Sequence, residues 1–376
     1  VTAGSRGIAR LPEILLGACD AIRSAGAEPF LVPAMGSHGG ATPEGQVALL
    51  ASLGVTEQSV GAPIRATMEA RLIGQTASGV PAYLDRFAAE ADGIVVVGRV
   101  KPHTDFEGRW ESGLAKMMAV GLGKEVGATC IHGQGARRLG QTVVEAAQVM
   151  LEKAPIIAGL AVLENAVGGV WRLIALGPAE MIQREAELLA EAKAHMPRLP
   201  FPEADLLIVD YIGKDISGTG LDTKIIGRMR VVGLPEPERP RIAALAALDL
   251  TPASHGNAIG VGLADVITER LAAKIDFAAL RPNTLACGFW DRAKVPVALP
   301  SDRAVILAAL QGCGRPPEQA RICRIRDTLR LSRMVVSEPL LPLLDGDVEV
   351  GGGYALPFDA EGHLVDHQHF PGGDGT

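Results

Sequence analysis

The sequence VVGRVKPHTDFEGRWESGLAKMMAVGLGKEVGATCIHGQG, residues 96–135, decides how the chain is interpreted. An apolar run, residues 93–100, predicts a buried strand that ends at the tripeptide KPH. His103 therefore lies where a strand passes into a loop, which is where open α/β sheets place their chemistry. Further along the same stretch stand a lysine, Lys116, and a second histidine, His132.

Lys116 has apolar residues for two positions on each side: Leu114, Ala115, Met117 and Met118. A lysine on a solvated surface rarely has such neighbours, although its stem can lie along apolar side chains. A desolvated lysine is a nucleophile or a covalent anchor for a cofactor. The pattern favours the chemical role for Lys116.

The histidines at strand exits form a second group of candidates. His38, in the segment MGSHGG at residues 35–40, follows another predicted strand, as His103 does. A loop histidine alone is as well explained by a bond to backbone. Two at equivalent positions suit a reaction that needs an acid on one face and a base on the other, such as racemisation. His132 lacks HxH or HExxH spacing, so it is a metal ligand or a plain loop residue, and a protein-only zinc site has little support.

Composition excludes several classes of function. The chain has 376 residues, 48% hydrophobic and 21% charged, with a net charge of −7 and 4% aromatic residues. Without a basic block or many aromatic side chains, nucleic acid is excluded as a partner. No apolar run reaches the length of a membrane helix, so no membrane association is expected. Five cysteines without CxxC or metal-ligand spacing predict a reducing, cytoplasmic location.

The alternation of predicted strands and helices indicates two Rossmann-like α/β domains with the active site in the cleft between them. Residues 1–200 are expected to form an N-terminal cofactor-binding domain that lacks a preceding segment, because the first residues continue an element already begun. Residues 201–334 form the C-terminal domain, and residues 335–376 return to the first domain. The boundary lies at PRLPFP, with three prolines in six residues.

Local patterns give the elements around the stretch. Apolar periodicity predicts helices at residues 140–153 and 181–195, and strands at 156–164 and 170–176. Residues 81–91 are predicted to be a helix that leads into the central strand.

Two regions are candidates for anion binding. Arg6 follows a predicted strand and has the planar fork that binds phosphate or carboxylate through two hydrogen bonds. In the second domain, Lys224 ends a glycine-rich loop, residues 212–224, and is the candidate for holding a substrate carboxylate across the cleft. Lys214 in the same loop is its nearest rival.

These residues resemble the nickel-pincer-dependent lactate racemase family. The matching segments span most of the chain in the family's order: GSRGI at residues 4–8, MGSHGG at 35–40, SGVPAY at 78–83, KPH at 101–103, GLAK at 113–116, His132, and KDI at 214–216. The interval from Lys116 to His132 also matches.

The resemblance implies a nickel-pincer nucleotide cofactor, the pyridinium-3-thioamide-5-thiocarboxylic acid mononucleotide with bound nickel. It implies that Lys116 forms the covalent thioamide link and that His132 completes the square-planar coordination of the metal. Ser5 and Arg6 are implied to hold the cofactor phosphate. The enzymes that synthesise the cofactor are implied as transient partners.

The implied reaction is inversion of the C2 centre of a small-molecule 2-hydroxy acid by proton-coupled hydride transfer. His38 and His103 are implied to be the acid/base pair. Lys224 resembles the family lysine that pairs with the substrate carboxylate. The expected activity is therefore that of a 2-hydroxy acid racemase or epimerase.

Three departures from the family pattern point to another substrate. The interval from His103 to Lys116 is longer and includes Trp110 and Glu111. The family's substrate-side glutamine has no counterpart in residues 218–223. Trp290 is only a loose match for the tryptophan near the metal.

A different pocket wall predicts a substrate larger than lactate. A polyhydroxy acid such as an aldonate would use the extra polar groups of Asp105, Glu107 and Thr219. Two other readings stay open from the residues. One is a hydrolase or lyase that uses the two loop histidines with an ordinary divalent metal, and the other is a non-catalytic protein that binds an acidic metabolite.

Overall fold

The computed structural model describes residues 1–5, 7–366 and 370–371. The chain divides into two compact units, Val1–Met196 and Pro197–Thr376. The division falls at the first proline of the PRLPFP segment. No helix in the described ranges is long and apolar enough to cross a membrane.

The first unit is a mixed α/β unit. Its strands are β1 (Thr2–Ala3), β2 (Val32–Pro33), β3 (Ala70–Gln75), β4 (Pro81–Asp85), β5 (Ile94–Arg99), β6 (Ile156–Glu164) and β7 (Val170–Leu176). Its helices are α1 (Leu11–Ser24), α2 (Pro43–Ser52), α3 (Glu57–Val60), α4 (Arg86–Ala89), α5 (Leu114–Lys116), α6 (Lys124–His132), α7 (Ala136–Lys153) and α8 (Met181–His195). A turn of π-helix, Met117–Gly121, continues α5.

Strand β5 is covered on both faces. Val96 packs into the cluster formed with α5 to α8, whereas Val97 packs into the cluster formed with α1 and α2. The same alternation holds in β6, where Ala161 faces the first cluster and Val162 the second. A strand buried on both faces is a continuous apolar run, which is why residues 93–100 predicted it correctly.

The sheets of the first unit are small. β5 pairs in parallel with β6, β6 is antiparallel to β7, and β1 and β2 form a parallel pair. β1 joins β5 through a side chain, because Val97 N donates to Thr2 Oγ1 at 2.8 Å. The ends of β1, β2 and β5 therefore lie in one region of the unit.

Most local predictions in this unit are confirmed, and one is wrong. The predicted helix at 181–195 and the strands at 156–164 and 170–176 have the predicted bounds. The helix predicted at 81–91 is instead β4 followed by the short α4. The sequence PAYLD alternates buried and half-buried residues against β3, with proline at the strand start, and this period of two outweighs the helical spacing.

The second unit contains a larger sheet. Its strands are β8 (Glu203–Ile212), β9 (Arg241–Leu250), β10 (Val266–Thr268), β11 (Val297–Leu299), β12 (Ile322–Ile325) and β13 (Val335–Val336). Its helices are α9 (Thr223–Ile226), α10 (Glu269–Ala273), α11 (Phe277–Cys287) and α12 (Asp302–Gly312).

The order of this sheet is β11-β10-β9-β8-β12-β13. Only β13 is antiparallel to its neighbour. The chain moves from β8 outward to β11 and then crosses back to the other side of β8 as β12. The carboxyl ends of β8 and β12 thus form a topological switch point, the usual place for a ligand in such sheets.

The described part of the C-terminal segment packs on this second unit. Phe358 and Leu364 join the cluster of β8, β9 and α12. Arg324, at 1% exposure, donates two hydrogen bonds of 2.8 Å to Asp210 and further bonds of 3.0 and 3.1 Å to Asp366. The return of residues 335–376 to the first domain stays a prediction.

The buried Arg324 gives a prediction about stability. Arg324→Met removes the partner of the buried Asp210 carboxylate, so the free energy of unfolding should fall by about 3–5 kcal/mol. Urea denaturation of the second unit measures this loss. Arg198→Met is the control, because its side chain is 70% exposed and 3.4 Å from Asp345, and it should cost under about 0.5 kcal/mol. Equal losses in the two variants would contradict a structural role for the buried pair.

Candidate functional site

His103 is fixed in the loop that follows β5. A bridge between Lys101 and Ser112 closes this loop. The His103 side chain is 7% exposed and stacks on Phe106 with ring centroids 4.5 Å apart. Its Nδ1 accepts the backbone N–H of Asp105 at 3.0 Å.

Lys116 stands at the end of α5, half-buried, with its Nζ in hydrogen-bond contact with His103 Nε2. Burial, and then the charge of Lys116, hold the pKa of His103 well below its usual value. The structure therefore brings together the strand-exit histidine and the lysine in the apolar segment.

The turn that carries Lys116 lies against the ends of β1 and β5. A Cβ atom at Gly98 would be 2.9 Å from Met117 Cγ, and one at Gly4 would be 3.4 Å from Met117 Cε. Gly98 must therefore be glycine for Met117 to pack there. Ser5, half-buried, follows directly after Gly4 and so lies near the Lys116 turn. Arg6, the other predicted phosphate ligand, is outside the described residues.

His132 is the last residue of α6 and is exposed at the helix end. Its Nδ1 is 2.8 Å from the carbonyl oxygen of Ala128. A carbonyl only accepts, so Nδ1 carries the hydrogen and the lone pair is on Nε2. Partial burial of the ring, and then the charge of Lys116, lower the pKa of His132. A neutral imidazole with its lone pair on Nε2 is in the tautomer that can bind a metal through that atom.

His38 lies in the MGSHGG loop after β2. Gly36 N donates to Gly121 O at 3.2 Å, which places this loop against the π-helical turn that follows Lys116. His38 Nδ1 donates to Met35 O at 2.7 Å, so the lone pair of the neutral ring is on Nε2. Gly39 has a φ of 67°, and a Cβ there would be 2.5 Å from the backbone of Gly45.

Two buried carboxylates that the sequence did not identify as functional hold the site in place. Glu111, 1% exposed, accepts the backbone N–H of His103 at 2.6 Å and the ammonium of Lys193 at 2.6 Å. Glu185 on α8, also 1% exposed, accepts Ala115 N at 2.9 Å at the start of α5. An acid in the middle of an amphipathic helix looks solvent-exposed in sequence, so only the fold shows that Glu185 is buried.

Lys224 lies in the second unit, at the switch point between β8 and β12. Asp222 begins α9 and accepts Lys224 N at 3.0 Å. Asp222 N in turn donates to Thr328 Oγ1, just beyond β12, at 2.9 Å. The rival Lys214 directs its ammonium to Gly218 O at 2.6 Å and Asn283 Oδ1 at 2.8 Å, so it holds its own loop.

Metal-binding clusters are absent from the described ranges. No group of three or more His, Cys, Asp or Glu residues there has an arrangement that could hold a metal ion. Trp290, the loose candidate for a tryptophan near a metal, is 54% exposed in the second unit.

Comparison with known proteins gives one family-model match and two similar structures. Residues 10–136 match the family model of the lactate racemase N-terminal domain. The lactate racemase apoprotein from Thermoanaerobacterium thermosaccharolyticum is similar in structure, with a TM-score of 0.53 and 14% sequence identity over 87% of this chain and 84% of that one. A structure of a protein from Thermotoga maritima has a TM-score of 0.47 and 14% identity, over 66% of this chain and 64% of that one. No curated protein sequence matches the chain.

The matched region contains His38, His103, Lys116 and His132. The similarity to the first structure shows that the chain has a lactate racemase-like fold. Lys224 lies outside the region matched by the family model.

Glu185 gives a prediction about pH. Burial raises its pKa from 4.5 to about 7. A carboxyl whose pKa is higher in the folded state loses stability as pH rises from about 4.5 through 7, by about 3 kcal/mol in all. Glu185→Gln cannot ionise, so relative to the parent protein it should gain about that amount in unfolding free energy between pH 4 and pH 8.

Urea denaturation of both proteins at the two pH values measures this difference. Glu187→Gln is the matched control, because Glu187 is exposed on the same helix. It controls for the Glu-to-Gln substitution on this helix. A Glu185→Gln difference that is independent of pH would contradict the raised pKa.

Proposed function

We propose that the chain is a racemase or epimerase of the lactate racemase family that inverts the C2 centre of a 2-hydroxy acid, a proposal supported by the family-model match of residues 10–136. The observation that carries the proposal is the contact of Lys116 with His103, in electrostatic range of His132. A half-buried lysine between two neutral histidines is a site for covalent and acid/base chemistry.

The residues around Lys116 fit a nickel-pincer nucleotide. Since no cluster of protein ligands occurs in the described ranges, a metal with most of its donors from an organic group suits the single imidazole of His132. Lys116 would be the attachment point, and Ser5 and Arg6 would hold the phosphate. When bound, the group would supply the acceptor and donor for the C2 hydride.

His38 and His103 would be the acid/base pair. Neutral His38 has its lone pair on Nε2 because Nδ1 donates to Met35 O. His103 Nδ1 accepts from Asp105 N, and its Nε2 contacts Lys116 Nζ. The histidine that takes the hydroxyl proton of the substrate would become an imidazolium, and an imidazolium would give a proton to the carbonyl oxygen as the centre re-forms. The two histidines would exchange these roles in the reverse reaction.

The substrate carboxylate would pair with Lys224. Lys224 follows the loop at the switch point of the second sheet, where α/β folds bind ligands, whereas the Lys214 ammonium is used within its loop.

The loop at residues 104–112 favours a polyhydroxy acid over lactate. Asp105 is half-buried, with Oδ2 3.7 Å from His103 Nδ1, and Glu107 is exposed nearby in sequence. Carboxylates accept hydrogen bonds from hydroxyl groups but repel a second carboxylate. Thr219 is buried, and its hydroxyl donates to Leu221 O at 2.5 Å. It therefore stabilises its own loop and is not assigned to substrate selection. The proposed substrate is aldonate-like.

Attachment at Lys116 predicts a change in mass. Protein co-expressed with cofactor-synthesis enzymes should gain the mass of the nucleotide, because Lys116 forms a covalent link. Lys116→Arg should lack this gain, since a guanidinium does not form a thioamide. Intact-mass spectrometry with nickel analysis checks both. Lys153→Arg, an exposed lysine at the end of α7, is the control and should keep the added mass. An adduct that persists in Lys116→Arg would refute this assignment.

The acid/base assignment predicts a loss of activity. His38→Gln and His103→Gln should each lower kcat by about 10²–10⁴-fold, because each removes one proton-transfer group. Chiral chromatography of lactate, malate and aldonates measures the inversion, with His195→Gln as the unaffected control. A substrate deuterated at C2 should keep its label in the product.

Two results would contradict parts of the proposal. Exchange of the C2 deuterium with solvent would indicate proton abstraction at carbon in place of hydride transfer. A higher kcat/KM for lactate than for any aldonate would show that the substrate is not the larger acid.

A further inference from the structure

Gln46 is a fully buried amide whose hydrogen bonds point at the His38 loop. On α2 it is 0% exposed. Its Nε2 donates to Gly36 O at 2.9 Å and to His38 O at 3.3 Å. Its Oε1 accepts the ammonium of Lys124 at 2.6 Å. Because carbonyls only accept and an ammonium only donates, the orientation of this amide is fixed by its partners.

Lys124 is the second buried member of this network. It is 0% exposed, and its Nζ donates to Pro33 O at 2.9 Å as well as to Gln46. Asp85 Oδ2, also buried, lies 3.5 Å away and supplies the opposite charge. The ammonium therefore has two hydrogen-bond acceptors and one opposite charge in the interior.

Lys124 also has an unusual backbone. Its φ is 56°, in the left-handed region that a lysine occupies at a cost of about 1–3 kcal/mol. This residue begins α6, and the last residue of α6 is His132. The strained conformation aims the ammonium at the end of β2, from which the His38 loop starts.

The network thus connects two parts of the proposed site. Through Gln46, Lys124 is bonded to the carbonyl of His38, and through its own helix it is joined to His132. Apolar side chains would fill the same space without a desolvation penalty. Burying a lysine, an aspartate and a glutamine costs desolvation free energy, so filling space does not explain why they are buried. The buried hydrogen bonds of Gln46 and Lys124 favour one arrangement of the backbone around them.

We propose that Gln46, held by Lys124, is a positioning residue that sets the place of His38 in the reaction. The inference rests on the proposed racemase function for its catalytic readout. Gln46 touches only the backbone of the loop, and it acts through the direction in which His38 Nε2 points. Proton transfer is sensitive to placement at the scale of 1 Å, so a released loop lowers turnover more than it weakens substrate binding.

Gln46→Glu separates the contact with Lys124 from the contacts with the His38 loop. A glutamate keeps the acceptor for Lys124, whereas it loses both donors and faces the carbonyls of Gly36 and His38 with negative charge. We expect kcat to fall on the order of 10²-fold with KM within about threefold. The mass added at Lys116 and the nickel content should not change. Gln141→Met, at an exposed glutamine of α7, is the control and should match the parent protein.

A measurement on the apoprotein tests the same contact without catalysis. Diethylpyrocarbonate modifies neutral imidazoles, and peptide mass spectrometry gives the rate at each histidine. In Gln46→Glu the rate at His38 should change at least threefold as the loop is released, while the rate at the exposed His195 should stay the same. If the parent protein inverts none of the 2-hydroxy acids, the proposed function fails, and this rate still decides the positioning role.

An unchanged His38 rate, or unchanged kcat in an active parent background, in a folded Gln46→Glu protein would overturn the inference. If that variant does not fold, the triple variant Gln46→Met, Lys124→Met, Asp85→Asn removes the buried charges together with the donors. It leaves no unpaired ion in the core, and the same two outcomes apply to it.

Discussion

Burial of β5 on both faces is the constraint from which the rest of the site follows. Val96 and Val97 face different apolar clusters, so no polar side chain can stand along the strand until it ends at Arg99. The chemistry is therefore concentrated immediately beyond, in the loop of His103 and the helix end at Lys116. Close packing of Met117 against Gly98 then fixes the distance between this helix and the strand.

The electrostatics of the site follow from the closeness of Lys116 to the two histidines. His103 and His132 both have a lowered pKa, through burial first and through Lys116 next. Both histidines are therefore neutral near pH 7, the form in which imidazole accepts a proton or binds a metal. Backbone contacts then decide which ring nitrogen is used, since Ala128 O holds one Nδ1 as a donor and Asp105 N holds the other as an acceptor.

Sequence periodicity predicted the apolar strands and long helices, because burial on one or two faces leaves a direct trace in residue order. The resemblance to the lactate racemase family is confirmed by the match of residues 10–136. Long-range polar contacts left no such trace. Glu185 and Lys124 have the sequence context of surface residues, and their burial depends on which elements pack against them. The helix predicted at residues 81–91 is wrong for β4 because its five residues fit either period.

Helix α8 fixes the loop between His103 and Lys116 in place despite the length of that loop. The loop between His103 and Lys116 is anchored to this helix at three points: Trp110 Nε1 donates to Ile182 O at 2.7 Å, Lys193 donates to Glu111, and Glu185 accepts from Ala115. Glu111 also accepts a hydrogen bond from the backbone N–H of His103, so the contact with α8 also fixes the position of His103. The residues by which the loop departs from the family pattern, Trp110 and Glu111, are thus the ones that fasten it. In the proposed function, a wall fixed in this way would select a substrate by shape and hydrogen bonding, because it would not move to accommodate a smaller one.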